Sequence, residues 1–213
     1  MSLLNFSCTP ERVLLGVDTL AGFKDGQRIE ATKLVHVAHA NVVLAGRGTI
    51  GLFHAAVGRC LTCNWPSLDV LLEGAERLLS EAFAAWTADN GAIATPSEFV
   101  IAGWSDARHR MMVRRFLQSE QGEIVWRDMS WRLGPGECFD EATAPLPIDV
   151  NSMAAAARAQ VQWVRENWHT SELGTAMGGA PIIGGRLLVA ELTRHRLTVE
   201  CVCELPTDQS RAF

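Results

Sequence analysis

The sequence has 213 residues and a net charge of −5, from 19 basic and 24 acidic side chains. Its 48% hydrophobic and 20% charged content is typical of a globular protein with a substantial core. The acidic balance excludes the basic face that nucleic-acid binding requires. No apolar run reaches the roughly 18 residues of a membrane span, and the first residues lack a signal-peptide pattern, so we expect a cytoplasmic protein.

Cysteine and glycine patterns raise the question of a bound metal or cofactor. Four of the six cysteines form close pairs: Cys60 with Cys63, and Cys201 with Cys203. Such pairs could supply a four-thiolate zinc site, but buried thiols on one strand face explain the second pair as well. His36 and His39 point to opposite faces of a strand-like stretch, and the glycine-rich stretch 174–185 fits no nucleotide motif. We predict no metal and no cofactor.

The first quarter of the chain predicts short strands without a helix. Strand-like runs cover 2–8, 13–17, 33–38 and 42–45, and Pro10 suits the turn between the first two. A helical run over 50–57 follows. A longer helix then begins after Ser67, a good N-cap, and ends near Asn90 and Gly91, with apolar residues at three- and four-residue spacing.

The second half repeats this block pattern. Strands are predicted over 98–104, 110–117 and 123–127, a third helix over 151–168, and a closing hairpin over 186–192 and 197–205. The cluster of Arg110, Arg114 and Arg115 is interpreted as the solvated side of a strand. Because strands and helices come in blocks, the sheets should be antiparallel. We predict an α+β fold: a single domain over residues 1–213, built as a four-layer αββα sandwich of two antiparallel sheets flanked by helices.

Five motifs, in this order, resemble those of proteasome β-subunits and their bacterial heat-shock-locus relatives. They are Val13–Thr19 (VLLGVDT), Lys33–Val37 (KLVHV), Leu44–Gly46 (LAG), Ile101–Trp104 (IAGW) and Gly184–Thr193 (GGRLLVAELT). Those families are N-terminal nucleophile (Ntn) hydrolases, in which the first residue of the mature chain attacks an amide bond. The resemblance implies a proteasome-like Ntn fold.

The resemblance also implies four catalytic residues. Ser2, exposed by removal of Met1, would be the nucleophile, with its own amine as the general base. Lys33 would stand beside the Ser2 hydroxyl, and Asp18 would keep Lys33 charged. The backbone N–H of Gly46 would be the oxyanion donor, a contribution of about 3 kcal/mol in other hydrolases.

The sequence departs from the family pattern at three places. The nucleophile is serine instead of threonine, so the side-chain rotamer is less restricted. Gly134-Pro135-Gly136 replaces a Gly-Ser-Gly turn, and proline offers neither a hydroxyl nor an N–H. The family's Asp-x-x-Ser before the closing strand matches Ala180 and Ile183. If Gly178-Gly179 is the glycine pair instead, Thr175 and Met177 lie nearby, still without the aspartate.

Three hypotheses follow for function. The first is a proteasome-like subunit that assembles into a homo-oligomeric ring with reduced or absent peptidase activity. The second is an active Ser2 peptidase or amidohydrolase acting on peptide bonds. The third is an unrelated α/β binding protein. None of them involves nucleic acid or a membrane.

Overall fold

The computed structural model describes residues 2–22, 27–93, 96–134, 146–167 and 183–206. Within these ranges the strands are β1 Leu4–Cys8, β2 Arg12–Asp18, β3 Leu20–Gly22, β4 Arg28–Glu30, β5 Leu34–Val37, β6 Val42–Arg47, β7 Ser97–Ser105, β8 Arg110–Gln118, β9 Ile124–Asp128, β10 Trp131–Arg132, β11 Gly185–Thr193 and β12 Leu197–Leu205. The helices are α1 Ile50–Thr62, α2 Leu68–Asn90 and α3 Val150–Asn167, with a short 3₁₀ turn at Ala38–Ala40.

Ten of these strands form two five-stranded sheets that are antiparallel throughout, and β3 and β4 form a separate antiparallel pair. The first sheet has the order β10-β1-β2-β11-β12, and the second has the order β5-β6-β7-β8-β9. Helices α1 and α2 cover the outer face of the second sheet, and α3 covers the outer face of the first. The predicted α+β fold with four αββα layers is therefore confirmed.

Strand β2 shows why the sequence folds in layers. Val13, Leu15 and Val17 point into the space between the sheets, whereas Leu14 faces α3. This alternation follows from the two-residue period of a strand, and both faces are apolar because both are covered. Burying one large aliphatic side chain contributes about 1.5–3 kcal/mol, so the layers are held mainly by such contacts.

Helix α2 confirms the prediction made from its periodicity. Its N-cap is Ser67, whose hydroxyl accepts a hydrogen bond from the Val70 N–H at 3.4 Å. The buried positions keep the predicted spacing: Leu68, Leu71, Leu72, Ala75, Leu78, Leu79 and Ala82. Helix α1 runs one turn further than predicted because Cys60 continues its buried face. None of the helices in the described ranges is long and apolar enough to cross a membrane.

Three short strands were missed by the sequence analysis. Strands β3 and β4 pair with each other, so six strands precede the first α-helix instead of four. Strand β10 pairs with the outer edge of β1. Each has two or three residues, which is too short for a period of two to be recognised; their pairing partners define them.

Two interpretations of surface residues were wrong. Cys201 is exposed and Cys203 only partly buried, because a register shift between Leu187 and Leu188 interrupts the alternation along this hairpin. In the described part of the chain, no cluster of His, Cys, Asp or Glu side chains is arranged to hold a metal. Arg110 is exposed, as expected, but Arg114 and Arg115 are not solvated, since their side chains are 12% and 11% exposed and form ion pairs.

Candidate active site

The β1–β2 hairpin brings Ser2 next to Asp18. Its register pairs Leu4 with Val17, so the residues just before β1 meet the end of β2. The Leu3 N–H donates to Asp18 Oδ1 at 2.7 Å, and the Ser2 hydroxyl donates to the same oxygen at 2.9 Å. The Asp18 carboxylate therefore holds the side chain of Ser2, the predicted nucleophile, and the backbone N–H of Leu3, the next residue.

Lys33 reaches the same point from the second sheet, immediately before β5. Its ammonium donates to Ser2 Oγ, to Asp18 Oδ1 at 3.0 Å and to the Leu20 carbonyl. All three ammonium hydrogens thus have acceptors. Burial lowers the pKa of Lys33 below its ordinary value, and the neighbouring Asp18 carboxylate offsets part of that shift. The structure brings together the three predicted side chains, Ser2, Lys33 and Asp18.

Backbone geometry at the start of β11 supplies a further partner for Asp18. The Gly184 N–H donates to Asp18 Oδ2 at 3.3 Å. Gly185 has φ +74°, and a Cβ there would lie 2.6 Å from Thr19 Oγ1, so only glycine fits. The sequence analysis noted this Gly-Gly pair as a family motif but did not predict its contact with Asp18.

Gly46 lies beside the site, but its N–H already has an acceptor. It donates to the Lys33 carbonyl at 3.0 Å and so extends the β5–β6 ladder by one residue. A Cβ at Gly46 would come within 2.4 Å of the Phe53 ring, which explains the glycine by packing. The oxyanion role of Gly46 stays a prediction, and it requires this amide to share or change its acceptor.

A buried amide network that the sequence analysis missed lies next to Ser2 along β1. Asn5 Nδ2 donates to Gln160 Oε1 at 2.6 Å, and Gln160 Nε2 donates back to Asn5 Oδ1 at 3.0 Å. The Gly134 N–H also donates to Asn5 Oδ1, at 2.9 Å. Both side chains are fully buried, so the network fixes α3 and Gly134 relative to β1. The available signal was Asn5 itself, a polar residue between the apolar Leu4 and Phe6 of β1.

Two of the departures from the family pattern, at Gly134-Pro135-Gly136 and before the closing strand, fall partly within the described residues. Ile183 is buried in the apolar layer between α3 and the first sheet, so no proton donor or acceptor side chain occupies this position. Gly134, the first residue of the Gly-Pro-Gly segment, is held by the hydrogen bond from its N–H to Asn5 Oδ1. The remaining positions concerned, Thr175, Met177, Gly178, Gly179 and Ala180 together with Pro135 and Gly136, lie outside the described residues.

Chemically, the arrangement combines a hydroxyl with a cation that contacts its oxygen. Ser2 is 7% exposed, Lys33 3% and Asp18 0%. A positive charge this close stabilises the alkoxide that forms when the hydroxyl loses its proton, and burial strengthens the effect. Such a group is suited to nucleophilic attack on a carbonyl.

Comparison with known proteins supports the fold and shows neither a family nor an activity. No protein-family model matches the chain, and no curated protein matches it. Among solved structures, Anbu from Hyphomicrobium sp. strain MC1 matches with a TM-score of 0.58 and 12% identity, over 99% of this chain and 89% of that one. A Gly-1 mutant of the same Anbu matches with the same values.

These findings correct the resemblance derived from the motifs. The chain was identified with proteasome β-subunits and heat-shock-locus proteases, whereas two of the solved structures that it matches are of Anbu, and no family model matches. At 12% identity the similarity shows the fold alone. The chain thus has a proteasome-like Ntn fold and is similar in structure to Anbu.

Proposed function

We propose that this chain is a self-assembling subunit with weak peptidase activity, in which Ser2 attacks peptide amide bonds. The observation that carries the proposal is the buried contact of the Lys33 ammonium with both Ser2 Oγ and Asp18. An ion pair that serves stability alone needs no hydroxyl in contact with its cation, whereas a cation beside a hydroxyl oxygen lowers the pKa of that hydroxyl and activates it as a nucleophile. The proposal concerns the form of the chain in which Ser2 is the first residue.

The proposed reaction begins with transfer of the Ser2 hydroxyl proton to the free Ser2 amine. Ser2 Oγ then forms a bond to the substrate carbonyl carbon, and the carbonyl oxygen becomes an oxyanion. The protonated amine returns its proton to the leaving nitrogen as the C–N bond breaks. Water then hydrolyses the resulting ester and releases Ser2. Lys33 stays charged throughout and stabilises the alkoxide, while Asp18 holds Lys33 and the backbone of Leu3 in place.

Three features support a low rate. The Gly46 N–H is bonded to the Lys33 carbonyl, so it does not offer a free donor to an oxyanion. Ile183, just before β11, is buried among apolar side chains and provides no hydroxyl or carboxylate. Serine also leaves the nucleophile's rotamer less restricted than threonine does. Losing one oxyanion donor costs about 10²- to 10³-fold in rate in other hydrolases.

The test compares three forms of the chain: one beginning at Ser2, one retaining Met1, and a Ser2→Ala variant. Intact mass defines the N-terminus of each sample. We expect the first to hydrolyse fluorogenic peptide amides and to gain the mass of an electrophilic inhibitor, because only it has a free amine beside the hydroxyl. Ser2→Ala removes the hydroxyl, should leave the Lys33–Asp18 ion pair in place, and is the matched control for background hydrolysis. No adduct and no turnover above that control would leave an inactive subunit as the function.

Self-assembly is tested separately. Exposed apolar side chains support it: Leu61 and Val70 on the helical side are 50% and 39% exposed, and Val125 and Trp126 on the edge strand β9 are 67% and 45% exposed. Apolar and aromatic groups of this kind are enriched in subunit interfaces. We expect light scattering after gel filtration to give a mass several times the 23.3 kDa of one chain. A monomer at micromolar concentration would contradict assembly.

A further inference from the structure

Three arginines surround one buried glutamate between the two sheets. Arg47 Nε donates to Glu98 Oε2 at 2.6 Å, Arg115 Nε to Oε1 at 2.6 Å, and Arg132 Nη2 to Oε2 at 3.0 Å. The Glu98 side chain is 2% exposed, and those of the arginines are between 11% and 18% exposed. We call these four residues the arginine cluster.

The arginine cluster has more positive charge than its glutamate can balance. Three guanidinium groups against one carboxylate leave a net charge of +2 among these described residues. Burial alone would raise the pKa of Glu98, but Arg47, Arg132 and Arg115 together hold it below its ordinary value. Burial lowers the pKa of Arg132 to about 10. The attraction of Glu98 opposes this shift, and repulsion from Arg47 and Arg115 adds to it.

The arginine cluster also has a buried donor that has no aligned acceptor among the described residues. Arg132 Nε lies 2.6 Å from Glu98 Oε1, yet the N–H does not point at that oxygen, and the atom is shielded from solvent. Buried N–H groups without acceptors are rare because they lose hydration and gain nothing in exchange. The charge and the unused donor both favour an additional anion at this position.

The arginine cluster lies at the same end of the sandwich as Ser2. Arg47 directly follows Gly46, whose amide bonds to the Lys33 carbonyl. On the other side, a Cβ at Gly134 would lie 3.3 Å from the Leu4 carbonyl oxygen and 3.5 Å from Arg47 Nη1. Leu4 is two residues from Ser2, a strand distance of about 7 Å. A ligand bound at the guanidinium groups would therefore be within a few residues of the nucleophile.

We infer that the arginine cluster is a binding subsite for a carboxylate of the peptide substrate. This inference rests on the proposed function, because a peptide is the ligand that carries carboxylates to Ser2. Guanidinium groups bind carboxylates through paired N–H donors, and partial burial strengthens such pairs. The carboxylate has two sources in a peptide: an acidic side chain or the free C-terminus.

The experiment measures binding without turnover, using the full chain with Ser2→Ala. Three acetylated hexapeptide probes are compared by calorimetry: an amide with one aspartate, its asparagine twin, and the asparagine peptide with a free C-terminal carboxylate. We expect one of the two carboxylate peptides to bind at least about tenfold more tightly than the neutral twin. The peptide that does so identifies the source of the carboxylate.

Variants of one arginine test the location. Arg47→Gln in the same background should remove the preference, and Arg47→Lys should keep part of it because the charge remains. Arg59→Gln is the matched control, since Arg59 pairs with Glu81 on the exposed helical side. If Arg47→Gln does not fold, the salt dependence of peptide binding to the chain that keeps Arg47 tests the inference instead. The affinity of the charged peptide should fall as NaCl rises, and that of the neutral peptide should not change.

Equal binding of the charged and neutral peptides would overturn the inference, as would a preference that Arg47→Gln leaves unchanged. These outcomes differ from failure of the proposed function. A carboxylate preference without hydrolysis by the Ser2 form would contradict only the peptidase proposal. Hydrolysis without a carboxylate preference would contradict only the subsite.

Discussion

Replacing Lys33 with methionine is expected to destabilise the protein by about 3–5 kcal/mol and to abolish hydrolysis. Methionine keeps most of the side-chain volume but removes the cation. Among the described residues, the fully buried Asp18 carboxylate then keeps hydrogen bonds from neutral donors: the Ser2 hydroxyl and the N–H groups of Leu3 and Gly184. Urea unfolding measures the stability, and peptide turnover measures the activity.

The double variant Lys33→Met/Asp18→Asn separates charge from packing. An asparagine in place of Asp18 needs no cation, so the double variant should recover part of the lost stability. It should not recover hydrolysis, because the alkoxide of Ser2 would still lack a positive charge beside it. A single Lys33→Met variant that loses less than about 1 kcal/mol would contradict the buried ion pair.

The pH dependence of stability gives a second measure of the same residue. Burial lowers the pKa of Lys33 in the folded protein below 10.5, so the folded state releases this proton at lower pH than the unfolded state does. Between the two pKa values the unfolded chain binds more protons, and the unfolding free energy therefore rises with pH. We expect the wild type to gain stability relative to Lys33→Met over this alkaline range. A relative loss there would contradict the lowered pKa.

Replacing Glu98 with glutamine is expected to cost about 3–5 kcal/mol of stability. The change removes the carboxylate of the arginine cluster and leaves three guanidinium groups close to one another. The three arginine side chains are only 11–18% exposed to solvent. Their mutual repulsion is then uncompensated, and solvent screens it only weakly. Thermal or urea unfolding at low salt measures the loss.

Glu81→Gln provides the matched control for Glu98→Gln. Glu81 pairs with a single arginine, Arg59, and the two side chains are 52% and 40% exposed. An exposed pair contributes between 0 and about 1 kcal/mol, so this change should be nearly neutral. Sulfate should restore part of the stability of Glu98→Gln and not change that of Glu81→Gln. Equal losses in the two variants would mean that Glu98 is no more than a surface charge.

Much of the fold could be predicted because it depends on local patterns. The 3.6-residue spacing from Leu68 to Ala82 and the cap at Ser67 define α2 without any knowledge of what it packs against. Strand β12 was predicted with the bounds that the structure has. Strands β3 and β10 were missed because so few residues have no detectable period, and they exist through pairing with distant segments.

The candidate site was only partly predictable. Ser2, Lys33 and Asp18 follow from motifs and their spacing, and the structure places these side chains in contact. The bond from the Gly46 amide to the Lys33 carbonyl had no signal in the sequence, because the acceptor of a backbone N–H depends on strand register. Gly184 as a partner of Asp18 is likewise a consequence of β2 pairing with β11.

The alternation of residues, the helical segments and the reactive side chains could be predicted from the sequence, because they depend on near neighbours along the chain. The packing of the two sheets decided the surroundings of those side chains. Arg115 was interpreted as solvated, yet it meets Glu98, Arg47 and Arg132 in one buried cluster, since these residues come from four strands of two sheets. Charge balance and burial depend on contacts between distant segments, and only the tertiary structure contains them.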